Sequence, residues 1–143
     1  MVIPSWIADS VVDETTFEYG GEVYPLLLVN PAFMPAIPNF VGFPPLERNF
    51  LFIANKVPVK HRLPMLAHEV IEFTKLDGRI GRCRAAAERE LEYVAPADLA
   101  EYLRLRIAMF TGLIAYARTN GQDKLAAEAA GSLEFFLSIQ QVD

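Results

Sequence analysis

The sequence predicts an α+β fold in a single domain over residues 1–143. Strand- and turn-forming segments fill residues 1–60, and helical periodicity dominates residues 61–143. The two kinds of segment do not alternate, as parallel strand-helix-strand units would require. With 52% of its 143 residues hydrophobic, the chain can bury an apolar core without disulfides or a structural metal.

"TTFEYGGEVYPLLLVN" places β-branched and aromatic residues on both sides of Gly20-Gly21, a pair suited to a tight hairpin turn. Strands are expected over residues 15–19 and 22–29, as part of a short antiparallel sheet. The following "NPAFMPAIPNFVGFPPLERN" carries five prolines, which remove amide donors and fix backbone angles. It reads as an ordered loop wrapped over the core. "NFLFIANKVP", residues 49–58, reads as another strand, ended by proline.

Four helices should follow. The first spans 63–76, with Pro64 in its first turn and Asp77-Gly78 as its stop. A second spans 80–94, its buried face formed by Ile80, Cys83, Ala87, Leu91 and Val94. Pro96 and Asp98 open a third, reaching residue 119, and the fourth covers 122–140. Joined by "NGQD", the last two form an antiparallel pair.

Charge and composition narrow the function. A net charge of −5 and a pI near 5.0 oppose binding to a phosphate backbone, so nucleic acid is not an expected partner. The most apolar stretch, "IAMFTGLIAYA", is too short to span a bilayer. One cysteine, Cys83, and an N-terminus without a signal-peptide pattern fit a cytoplasmic protein. On the apolar stripe of its helix, Cys83 reads as a buried, inert thiol rather than a nucleophile activated by Arg82 and Arg84.

One stretch carries candidate chemistry. In "LAHEVIEF", His68 and Glu72 are four residues apart, about 40° around a helix, and can reach a common ion. By the same rotation they share a polar side with Met65, Glu69 and Leu76, opposite Leu63, Leu66, Ala67, Val70, Ile71 and Phe73. One reading is a metal-binding helix. The other is a solvated face on which His68 caps or pairs locally.

His68-Glu69-x-x-Glu72 after the strand "NFLFIANKV" resembles the zincin metallopeptidases, whose helix carries His-Glu-x-x-His after a strand that binds extended substrate. The resemblance covers residues 49–76. It implies zinc as cofactor, His68 as first ligand, Glu69 as general base, and Glu72 at the second ligand position. A downstream glutamate would be the third, and Glu90, nearest the apolar stripe of the next helix, is the choice over Glu88 and Glu92. The strand at 49–57 would then align a peptide by main-chain pairing. Glutamate in place of the second histidine makes this ligand set harder and more negative. His61 lies about two turns too early to contribute.

The competing expectation is a noncatalytic interaction protein without a metal. The helix ending at residue 119 is apolar over much of its circumference, through Ile107, Met109, Phe110, Leu113, Ile114 and Tyr116, which suits either a central helix or a homodimer interface.

Overall fold

The computed structural model describes residues 2–33, 41–42 and 50–142. Its elements are α1 (Ser5–Ala8), β1 (Val11–Tyr19), β2 (Glu22–Val29), β3 (Val41–Gly42), β4 (Leu51–Ala54), α2 (Val59–Val70), α3 (Arg82–Glu90), α4 (Leu99–Thr119) and α5 (Asp123–Val142), with short 3₁₀ turns between them. The fold is α+β, as expected. The covering-loop expectation falls largely outside the described residues.

Gly20 and Gly21 both take positive φ, 62° and 83°, which the β1–β2 hairpin turn requires. The sheet order is β1-β2-β4-β3. It is mixed, which corrects the antiparallel expectation: β4 runs parallel to β2, with Leu26 opposite Leu51 and Val29 opposite Ala54. The connection from 30 to 50 is a crossover, and a crossover of that length permits a parallel neighbour. Pro25 precedes the segment that pairs with β4, so β2 tolerates it.

Alternation along the strands divides the core. Leu27, Val29 and Phe52 pack with Ile7 and Phe50 on one face. Trp6 covers this side, its ring 6.5 Å from Phe50 and 6.2 Å from Phe52. Leu26, Leu51 and Ile53 pack on the other face against Met65, Leu66 and Val70 of α2 and against Tyr102. Beyond α2, a helical layer of α3, α4 and α5 closes on Cys83, Leu103, Phe110 and Phe136.

At the β3–β4 pair, Gly42 lies opposite Phe52, and a Cβ on Gly42 would come within 2.6 Å of the Phe52 ring. Gly42→Ala should therefore cost about 1–3 kcal/mol by overpacking. A urea midpoint unchanged by this substitution would contradict the close approach.

Two helix starts differ from expectation, and α3 ends at Glu90, short of the expected residue 94. α2 starts at Val59 behind Pro58, whose φ of −54° and ψ of 140° set the N-cap, so Pro64 lies inside the helix and not in its first turn. Arg62 fixes the entry to α2 by donating to the carbonyls of Val57 and Asn55, at 3.0 and 3.1 Å. α3 starts at Arg82, with Gly81 at φ 78° as its N-cap. Ile80 therefore stays in the preceding turn, 99% exposed, and does not join the buried face.

α4 and α5 form the expected antiparallel pair. Met109, Phe110 and Ile114 are buried within the chain, while Arg104, Ala108, Thr111, Gly112 and Ala115 face outward. Ile107, Leu113 and Tyr116 are half-buried. Among the described residues no helix is long and apolar enough to cross a membrane.

Candidate metal centre

α2 does not end cleanly after the His-Glu motif. It widens into a π-helical turn, Ile71–Lys75, in which the Leu76 amide donates to the Ile71 carbonyl five residues back at 3.1 Å. Glu72 sits in this wide turn and still reaches His68, whose Nε2–H donates to Glu72 Oε2 at 3.0 Å.

The polar side of α2 is not solvated, contrary to one sequence reading. His68 is 2% exposed and Glu72 7%, with Cys83 and Glu90 of α3 and Phe110 of α4 against the imidazole, and Met65 is 0% exposed in the cluster it shares with the sheet and Tyr102. Leu63, assigned to the apolar side, is 44% exposed.

Each nitrogen of His68 has its own environment. Nδ1–H donates to Glu90 Oε1 at 2.6 Å. Glu90, fully buried at the end of α3, is gripped by Arg106, whose Nε and Nη2 donate to its two oxygens at 3.0 and 2.9 Å. The Tyr102 hydroxyl donates to the same carboxylate. Arg106 also lies over the Phe110 ring, 4.7 Å from its centroid.

Nε2 faces Glu72 and Cys83, whose Sγ is 3.7 Å away. Ser132 Oγ donates to that sulfur at 2.9 Å. α3 delivers Cys83 to this position because Glu128 of α5 accepts from the Gly81 and Cys83 amides at 2.9 and 3.3 Å, holding the helix start. One donor atom each from His68, Glu72 and Cys83 fall within 4.8 Å of one another.

Electrostatics follow from this burial. Burial opposes charge on His68, but the Glu90 carboxylate, helped by Cys83 and Glu72, overrides it and holds the imidazolium well above its ordinary pKa. Burial likewise opposes charge on Glu90, and Arg106 followed by His68 still brings its pKa below the ordinary value. Burial pushes the Cys83 thiol up, with partial relief from His68. Glu69, beside the pair with its carboxylate 3.9 Å from Nε2, is pushed up to about 8 by burial and by the neighbouring Glu72.

His68, Glu69 and Glu72 thus lie together as the motif implied. Glu90 approaches His68, but from the nitrogen opposite to Glu72, with both oxygens engaged by Arg106. The third donor converging with His68 and Glu72 is Cys83, in place of the expected Glu90. Cys83 does not form a nucleophile–base pair of the usual kind either, since its thiol is raised and Nε2 is shared with Glu72. His61 stays apart, bonded to Glu101 at 3.0 Å.

Cys83 had a sequence signal: it stands seven residues before Glu90, two turns along the same face. Arg106 and Tyr102, four apart on α4, had only the oddity of an arginine within an apolar stretch. Nothing local marked Ser132.

The cluster opens onto a cavity of about 100 Å³, with His68, Glu69, Glu72 and Cys83 at its polar end. Val41, Phe73, Met109, Leu113 and Leu125 contribute apolar walls. Comparison of the chain with protein-family models, curated proteins and solved structures gives no match.

Proposed function

We propose that this protein binds one zinc ion through His68 Nε2, a Glu72 oxygen and Cys83 Sγ, leaving a coordination position toward the cavity. The observation that carries the reading is the division of labour at His68. A buried carboxylate holds one imidazole nitrogen while two further donors of different type meet the other. That is the carboxylate-histidine arrangement by which proteins orient a metal ligand and raise its basicity. Thiolate, imidazole and carboxylate together suit zinc.

Glu69, adjacent to the ligands and lining the cavity, supports hydrolysis as the reaction class. When bound, the ion would supply Lewis acidity. Glu69 would accept a proton from water at the cavity end, Glu90 with Arg106 would hold the imidazole orientation, and the apolar walls would limit bulk solvent. In this reading the zincin-like motif supplies the chemistry without that family's mode of peptide binding, because β4 lies between β2 and β3 with both edges already paired.

Metal analysis of the purified protein should find close to one zinc per chain, retained or taken up tightly on titration. His68→Ala should lose it and Cys83→Ala should bind it more weakly, whereas Glu69→Gln should keep it and abolish any zinc-dependent hydrolysis. No uptake by the unaltered protein would overturn the proposal. Loss of zinc in Glu69→Gln would remove Glu69 from the role of base.

A further inference from the structure

Resting on the zinc reading, the geometry points to the class of molecule the site takes: a small uncharged compound with a compact apolar group, and neither an anion nor a polypeptide strand. Size sets the first limit. About 100 Å³ equals the liquid volume of roughly three waters, which limits the occupant to a compact molecule. The strand that the motif resemblance would assign to a peptide, β4, has β2 on one side and β3 on the other.

Charge sets the second. A zinc ion held by the Glu72 carboxylate and the Cys83 thiolate is already balanced, since two negative ligands meet a doubly positive ion. With His68 a neutral ligand to the ion, Arg106 is the one cation among the described residues that line the cavity, and it is bound through Nε and Nη2 to Glu90 and through Nη1 to Met109 Sδ at 3.7 Å. Arg82, beside the lining residues Glu72 and Phe73, is engaged with Glu72 and Asp77 at 3.6 and 3.2 Å and lies over the Phe73 ring. Among the described lining residues no guanidinium or ammonium is therefore left to meet a carboxylate or phosphate, while Glu128 adds negative charge.

The walls set the third. Met109, Leu113, Leu125 and Phe73 would desolvate a charged group of either sign without repayment, but they favour an aliphatic one.

A charge series on one carbon skeleton tests this: isobutyramide, isobutyrate and isobutylammonium, titrated into metal-free and zinc-loaded protein with the methyl NMR signals of Met109, Leu113 and Leu125 as readout. Isobutyramide should shift those signals in the zinc-loaded protein, and the two ions should bind roughly tenfold or more weakly. Leu113→Phe and Leu125→Phe, each adding bulk to the cavity wall, should weaken the amide. Isobutyrate or isobutylammonium binding as well as the amide, no shift with the amide, or indifference to both substitutions would each overturn the assignment. Zinc content measured on the same samples keeps the two claims separate. If the chain takes up no zinc yet binds the amide selectively in its metal-free form, the metal reading falls and the ligand class stands.

Discussion

Zinc binding at pH 7 is expected to release roughly two protons per ion. His68 carries a folded-state pKa well above its ordinary value, so before binding its Nε2 holds a proton directed at Glu72. Cys83, pushed up by burial, is a thiol at the same pH. Both atoms must lose their protons to act as ligands. The sign is fixed by these directions: affinity should climb as pH rises through neutrality and fall in acid, by about two decades per pH unit while both groups remain protonated. Calorimetric titration in two buffers of different ionisation enthalpy measures the release directly. Cys83→Ala should reduce the release to about one while weakening binding. Near-zero release by the unaltered protein would mean that these two groups are not the ligands.

Arg106→Met should produce the largest loss of stability, about 3–5 kcal/mol. The substitution leaves Glu90, fully buried, without the guanidinium that meets both its oxygens, and a lone buried carboxylate costs far more than the pair contributes. Tyr102 and the His68 imidazolium still face Glu90 and keep the loss within that range. Thermal unfolding should shift downward by on the order of 10 °C. Adding Glu90→Gln to Arg106→Met should recover much of the loss, because the neutral amide no longer needs a cation. A single variant as stable as the parent, or a double variant worse than the single, would contradict this account.

How far the sequence reveals the site depends on which forces are local. Helical rotation brought His68, Glu69 and Glu72 together and picked out Glu90, because spacing along one helix is set by that helix alone. It did not foresee that the side carrying His68 and Glu72 is buried, since whether a polar side meets water depends on a second layer arriving from α3 and α4, and no periodicity in α2 records that arrival. The direction of β4 was hidden for a similar reason: "LFIA" is equally apolar whether its neighbour runs parallel or antiparallel. Cys83 was assigned to a buried stripe, where it lies; that the stripe also holds Glu90 and faces His68 depends on how α3 docks against α2, which its own periodicity does not record.

Trp6 offers a different use of the fold. It is the chain's single tryptophan and rests on Phe50 and Phe52, across the sheet from α2 and the His68 cluster. Its emission is therefore a private reporter for one side of the sheet, insulated from whatever occupies the cavity. Paired with the visible absorption of a cobalt-substituted site, it supplies two optical signals from opposite ends of the same unfolding curve. Coincident traces would mark cooperative melting of sheet and helices, and divergent ones would date which layer lets go first.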